Sequence, residues 1–577
     1  MTDYTQLPRE QKIFTMVGTL LGMLLAALDQ TIVSTAGPAI QQDLHIEPSL
    51  YTWLTTSYLV ASAVMTPVWG KLSDLFGRRR VLVVGIVIFL VGSLLCGVSQ
   101  STWQLLAARV VQGIGSASLF TTAFAVIADI FTPRERGRYA GIFGAVFGLS
   151  SVVGPLVGGF ITDLLSWHWC FLINLPIGVV ALGVIGAKMP SLKIEQTGPR
   201  TVDVVGAVVF AFAIVPLLVA ASLAKVELRP GDVGYLWSDP LIIGLVVCAV
   251  VFSVLFVVVE KRVQQPLIDM KLFSNRAFSI GVSASFVAGM AFLGAIVFLP
   301  LFMVNVVGAS ATRAGLTTVP LTFGIVFANI ASGQLSSRLG RYKFLILGSS
   351  AVLIGAFALM SFTLSTDVTS LGMAGRMVLI GIGLGPAIPM FSLHIQSSVE
   401  PRQIGAATSV ATLSRNLGST LGVAIFGNIF GLALAHGIET RVSEATAHLP
   451  PAAIAQLKSQ MAQTPATSGE EGATATGTFD VAAARRRIAE GFAARRQALS
   501  AAGPEAAGQI AGLQAAETEA LRTVDAVNAA FKQAFTDATA RVYFVGIFFA
   551  LLTLLIALFL PEVTLRGAAP GAPPALE

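Results

Sequence analysis

The chain is predicted to be an all-α polytopic membrane protein, and three observations predict it. Its 577 residues are 54% hydrophobic and 12% charged, with a mean hydropathy of +0.78, far too apolar for a water-soluble domain of this length. Apolar stretches of roughly 18 residues or more recur along it, each long enough to cross about 30 Å of hydrocarbon as a helix. Motifs of the first part of the chain return in the second.

Taken in order, the apolar runs give fourteen spans, at 13–38, 51–70, 80–98, 103–129, 139–163, 166–187, 203–223, 240–259, 278–305, 314–337, 344–364, 371–396, 406–432 and 541–560. The first is too long, and lacks the small-residue cleavage site, for a removable signal peptide, so it is expected to be retained. Lys and Arg in the short connections number twenty on one side, among them Arg78, Arg79, Arg80, Arg134, Arg136 and Arg138. The other side holds Lys225, Arg229 and Arg313. That imbalance predicts both termini in the cytoplasm; the expected location is the plasma (inner) membrane, as a multi-pass protein. It also accounts for the pI of 9.3 without nucleic acid as a partner.

Enzyme chemistry finds no foothold. Cys96, Cys170 and Cys248 fall in or beside apolar spans without metal-ligand spacing, and read as inert thiols. No phosphate-binding GxxxxGK[ST] loop occurs in the sequence, and no Ser/His/Asp arrangement or His-Glu metal pair stands out. No cofactor or metal is expected. Transport is the leading class, with the lipid bilayer, protons and small lipophilic molecules as partners.

"GKLSDLFGRRR" at 70–80 returns as "GQLSSRLGRYK" at 333–343, an offset of 263 residues. "LLAARVVQGIG" at 105–115 is echoed by "MAGRMVLIGIG" at 373–383, and "PRERG" at 133–137 by "PRQIG" at 401–405. Two six-helix bundles repeated in parallel, with a site between them, are one secondary-transporter architecture. The expected units are 1–187 for the first bundle, 188–277 for two inserted transmembrane helices, and 278–436 with 541–560 for the second bundle. Segment 437–540 is an extracytoplasmic insertion, and 561–577 a cytoplasmic tail. In the insertion, Val481, Ile488, Phe492 and Leu499 keep helical spacing, as do Ile510, Leu513, Val524, Val527, Phe531 and Phe535. Two amphipathic helices parted near Gly503 and Pro504 are expected. They cap the outer vestibule, contact an envelope partner, or form a neutral insertion.

At these motifs the chain resembles the major facilitator superfamily, specifically its fourteen-span drug:proton antiporters, over nearly its whole length except about 437–540. Resemblance implies that fold, export driven by a proton gradient, and several site residues. In the 70–80 loop, Gly70 and Gly77 allow a tight turn and close helix approach. The resemblance makes Asp74 and Arg78, flanked by Arg79, a lock on the cytoplasmic side, with Asp129 as partner; the alternative is an ordinary charged topogenic loop. "GAVFGLSSVVGPLVGG" at 144–159 resembles the antiporter motif, which implies export rather than uptake. Its Gly144, Gly148, Gly154, Gly158 and Gly159 permit close packing, and Pro155 is expected to kink the helix. A purely structural kinked helix is the alternative. "WHWCFLINLPIG" at 167–178 and "ATLSRNLGSTLGVAIFG" at 411–427 are also family-like, with His168 standing where an arginine is common.

"LDQTIVSTAGPAI" resembles the group's first-span motif, and its Asp29 is the one acid clearly placed mid-span. An acid at that depth costs roughly 2.5 to 3.5 kcal/mol on insertion scales, so it is expected to face a cavity and to have a task. Asp29 is expected to alternate between holding a proton and supporting a cationic substrate; a structural hydrogen bond or a partly exposed helix end is the alternative. Arg109, followed by Gln112 in a stretch resembling the proton-transfer motif, either tunes a nearby carboxyl or braces two helices. Arg376 and Arg415, the latter beside Asn416, are intramembrane arginines of the second half, expected to bind backbone carbonyls. The lack of further mid-span acids argues against a divalent-cation site. Phe292, Phe298, Phe302, Met303 and Phe323 either line an apolar cavity or pack. The expected cargo is a lipophilic cation or amphipath, and a lipid or other endogenous amphipath is the second reading. A non-transporting receptor or scaffold leaves Asp29 and the repeated loops without a use.

Overall fold

The computed structural model describes residues 4–46, 48–51, 53–193, 202–225, 235–308, 318–400, 403–446, 481–500 and 507–562, and helices fall on each of the expected apolar segments. Thirteen described helices are long and apolar enough to cross a bilayer. Span 2, Trp53–Phe76, is 24 residues long and less apolar because Thr55, Thr56, Ser57, Tyr58 and Ser62 dilute it. Among the described residues, the only strands are the two-residue pair Ala224–Lys225 and Tyr235–Leu236.

Local chemistry sets the ends. Span 5, Pro133–Leu164, begins with a proline in its first turn, and the Glu135 carboxylate accepts the Thr132 N–H at 3.1 Å. Asn275 Oδ1 accepts the Ala277 N–H at 2.9 Å at the start of span 9, Arg276–Asn305. Prolines explain two breaks. Span 6 is divided into His168–Leu172 and Asn174–Lys188, where Pro176 supplies no N–H to the Leu172 carbonyl. Span 12 is divided into Ser370–Leu384 and Ala387–Ser397, where Pro386 supplies none to Ile382. Pro155, by contrast, lies inside one unbroken helix.

The two last spans run far beyond the hydrocarbon. Span 13 belongs to Ile404–Thr446, 43 residues or about 64 Å, and span 14 to Ala507–Leu558, 52 residues or about 78 Å. Of the two amphipathic helices expected in the insertion, Val481–Ser500 stands alone and the second is continuous with span 14. Gly503 and Pro504 lie outside the described residues. Arg441 with Asp537 at 2.5 Å ties the two long helices, and Arg485 with Asp525 at 2.5 Å ties the separate helix to the second.

Spans 1, 3, 4 and 6 share one apolar core, with Leu25, Ile86, Phe89, Leu119 and Ile185 fully buried in it. Spans 9 to 14 share another. Phe298, Phe302 and Met303 are packed there, so they line no open cavity, whereas Phe323 is exposed. Inserted spans 7 and 8, Val204–Leu223 and Pro240–Glu260, pack beside spans 2, 9 and 13 through Phe210, Phe256, Phe278 and Val410. Val247, Val250, Val251 and Val254 of span 8 remain exposed, as a lipid-facing helix requires, and Cys248 is only half-buried there.

The halves meet along a glycine seam. Span 5 lays Gly137, Gly141 and Gly144 against span 10, Val319–Leu339, where a Cβ on Gly144 would lie 2.6 Å from Asn329 Oδ1. Asn329 is fully buried there, and neither end of its amide has a hydrogen-bond partner among the described residues.

Candidate functional site

Asp29 lies on span 1, in Arg9–Asp43, and is fully buried. Span 4, Thr102–Ile130, points Arg109 and Gln112, one turn apart, at the same place. Arg109 Nη1 donates to Asp29 Oδ2 at 2.7 Å and to Gln112 Oε1 at 2.7 Å, and Gln112 Nε2 donates to Asp29 Oδ1 at 2.6 Å. Two residues that sequence reasoning passed over complete the cluster. Asn174 Nδ2 of span 6 donates to Asp29 Oδ1 at 3.0 Å and to Ser93 Oγ of span 3 at 2.9 Å. The break before Asn174 puts that side chain at the head of a helix, deep in the bundle. Arg109 also donates from Nε to the Leu54 carbonyl at 3.0 Å, and its guanidinium lies 4.3 Å from the centre of the Tyr58 ring. It therefore both pairs with the carboxyl and braces span 4 against span 2. Asp29, Arg109, Gln112, Asn174, Ser93 and Tyr58 are each at most 1% exposed. The expectation that Asp29 faces a cavity is corrected: the carboxylate is enclosed among spans 1, 3, 4 and 6, where charge-assisted bonds replace water.

A second charged cluster closes the end of the bundle that carries the basic loops. Arg78 donates from Nη1 to Asp74 Oδ1 at 2.5 Å and from Nε to Asp129 Oδ2 at 2.7 Å. The other Asp74 oxygen accepts the backbone N–H of Ala406 at 3.0 Å, from the first turn of span 13 in the opposite half. The approach depends on Gly405, whose Cβ would lie 2.6 Å from Arg78 Nη1. Gly77 turns the chain at φ +91°, and a Cβ there would meet the Ser191 carbonyl at 2.8 Å. Gly70 faces Ser409 of span 13, with 2.6 Å left for a Cβ. Arg79 takes no part; it donates outward to the Gly186 carbonyl.

The degenerate copy docks reciprocally. Arg134, at the head of span 5, donates to the carbonyls of Ser337 and Arg338 at 2.7 and 3.0 Å. Each half thus presses its repeated loop onto the helix start that follows the other half's Pro-Arg pair. The first contact is made by an acid and the second by helix-end carbonyls. Arg341, the counterpart of Arg78, is exposed and lies 3.6 Å from Glu562.

The 144–159 stretch serves two neighbours. Gly144 and Gly148 face span 10, whereas Gly154 and Gly158 face Thr31 and Ile32 of span 1, and Gly159 lies nearest Thr35. The Thr31 hydroxyl donates to the Ser150 carbonyl at 2.8 Å, so span 1 is held against span 5 close to Asp29.

Among its described residues the second half has no equivalent polar centre. By the repeat, Met377 and Ile380 stand where Arg109 and Gln112 stand, and both are packed in the apolar core. Arg376 is not deep in a bundle: it reaches the end of span 11 and donates to the Thr363 carbonyl and hydroxyl at 3.0 and 2.9 Å. Arg415 lies beside Ser285, Phe292 and Phe391, and no carbonyl accepts from its guanidinium among the described residues, contrary to expectation. Asn416 is half-buried, its carbonyl accepting from Thr420 at 3.0 Å. His168 is held by Ser166 at 2.7 Å and stacks on Trp167.

A family model described as Major Facilitator Superfamily matches residues 19–423. The chain belongs to the major facilitator superfamily. Superfamily relatives include the "Multidrug transporter protein MdtP" of Bacillus subtilis (strain 168), 37% identical over 73% of this chain and 76% of that protein. "Multidrug resistance protein 3" of the same organism is 37% identical over 74% of this chain and 81% of its own. The fungal "Efflux pump dotC" of Dothistroma septosporum (strain NZE10 / CBS 128990) is 32% identical over 71% and 70%. Among solved superfamily structures, the human organic anion transporter MFSD10 (TETRAN) shares the fold, with a TM-score of 0.55 at 17% identity over 74% of this chain and 96% of that one. Members of the superfamily are carriers and not enzymes, and this chain is a multi-pass membrane transporter.

Proposed function

We propose that the chain is a proton-driven exporter of lipophilic cationic or amphipathic compounds, contributing to antibiotic resistance from the plasma (inner) membrane by alternating access. The observation that carries this reading is Asp29, a carboxylate buried with Arg109, Gln112 and Asn174 and sealed from water on every side. An ionised Asp29 holds these donors; a proton arriving on it cancels the charge that Arg109 pairs with and loosens spans 1, 4 and 6 together. The efflux names of the relatives and the 144–159 motif support outward transport. The excess of basic residues on the face closed by Asp74, Arg78 and Asp129 supports that face, with both termini, being cytoplasmic. One proton moving down a potential of about 100 mV supplies about 2.3 kcal/mol, and each pH unit adds about 1.4. No nucleotide is required.

The test is uptake of ethidium into energised inverted vesicles, with the native chain, Asp29→Asn and an added protonophore. Native uptake that is lost in both other cases is expected. Uptake by Asp29→Asn with an unchanged pH dependence would remove Asp29 from coupling.

A lipid or other endogenous amphipath as cargo is the second reading, favoured by one surface groove. Between spans 9 and 14, a groove of about 480 Å³ is lined by Ile280, Leu552, Leu555, Ile556 and Phe559, with Arg276 and Ser279 at its polar part. That pattern suits an acyl chain beneath an anionic headgroup. The long helices beyond span 13 provide a surface for an envelope partner.

A further inference from the structure

We infer that Asp203 and Glu260, on the inserted helices, form a proton-sharing carboxyl pair, a second proton-binding site separate from Asp29. Asp203 caps the start of span 7 and Glu260 ends span 8, on the face of the basic loops. Both are nearly sealed, at 8% and 2% exposure. Each uses one oxygen locally: Asp203 Oδ1 accepts the Gly206 N–H at 2.7 Å, and Glu260 Oε2 accepts the Ile268 N–H at 3.2 Å. The remaining oxygens, Asp203 Oδ2 and Glu260 Oε1, are buried without a hydrogen-bond partner among the described residues.

Both orphaned oxygens lie against Gly206. A Cβ added to Gly206 would collide with Asp203 Oδ2 and lie 2.6 Å from Glu260 Oε1. Two carboxylates so placed repel one another and leave two acceptors facing with nothing to accept. One proton resolves both defects, since a protonated carboxyl donates and its ionised neighbour accepts. The surrounding charges fit a pair carrying one net negative charge. Lys71 of span 2 is the cation that acts on both acids, with Asp269 and Asp74 also near it, and its ammonium donates to Gln265 at 3.3 Å. Lys71 lies three residues before Asp74 of the closed gate. Loss of the shared proton would add a negative charge beside Lys71, drawing it and the end of span 2 toward the inserted helices.

The test is infrared spectroscopy of the purified full-length protein at neutral pH, reading the carbonyl band of a protonated carboxylic acid and its shift in D2O. A D2O-sensitive band present in the native protein and in Asp29→Asn, and absent from both Asp203→Asn and Glu260→Gln, is expected. A band untouched by either substitution, or lost only in Asp29→Asn, would overturn the pair. Thermal unfolding gives an independent reading on the same proteins. Because the folded state retains a proton that the unfolded acids release, native stability should fall as pH rises through the pair's titration. In the double variant Asp203→Asn/Glu260→Gln this fall should be absent; an identical fall in both proteins would count against the proposal.

Discussion

Asp29 receives three side-chain donors from two different helices, and each donor is itself held by a second partner. In such a network, deleting one neutral member leaves a buried group unsatisfied. Asn174→Leu should therefore cost about 1 to 3 kcal/mol in stability. It should also slow ethidium transport, because Asn174 joins span 6 to Asp29; a variant with an unchanged rate would show Asn174 to be bracing only. Asp29 and Arg109 were legible in the sequence because charge inside an apolar run is rare, and Gln112 because it follows Arg109 in the stretch that resembles the proton-transfer motif. Asn174 and Ser93 were not, since single neutral polar residues are ordinary in membrane helices and only their convergence in space marks them. Tyr58 was hidden for the same reason, its ring meeting Arg109 across spans.

At the scale of elements, the contact between Asp74 and span 13 shows how one glycine sets the distance between two helices. Gly405 lets the first turn of span 13 bring the Ala406 N–H onto Asp74. Gly405→Ala should push that turn away and weaken the closed basic face without touching the carboxyl at Asp29. With a cysteine placed at Ala406, thiol labelling from the basic side should be several-fold faster in Gly405→Ala; equal rates would mean that the contact does not hold the face shut. The spans were legible from hydropathy, and the loop motifs from their repetition. The unbroken helix Ala507–Leu558 was not, because its aqueous and lipid portions have unlike compositions although one backbone ladder runs through both. Composition reports the solvent around a helix, and says little about where its hydrogen bonds stop. The fate of Phe298, Phe302 and Met303 was equally closed to sequence, as periodicity does not tell which neighbour a face meets.

In the whole molecule, the two halves are built on one plan and specialised differently. The first holds the acid, its cation and the cluster of Asp74, Arg78 and Asp129, and the second supplies an apolar core and the helix start on which that cluster docks. Asn329 sits on the seam between them, its amide buried opposite Gly144 and bonded to nothing among the described residues. An orphaned amide raises the free energy of the arrangement that buries it by about 1 to 3 kcal/mol. Under the alternating access proposed above, that cost falls on the conformer seen here and favours the opposite one. Asn329→Leu, of similar size and with no polar group to strand, should enrich the conformer closed on the basic face by about 5- to 150-fold and slow the return stroke. Spin labels on the basic ends of spans 5 and 10 should then report a larger share of the short distance than in the native chain. A distribution unaltered by Asn329→Leu would mean that the amide is equally deprived in both conformers, and that the balance between them is struck elsewhere.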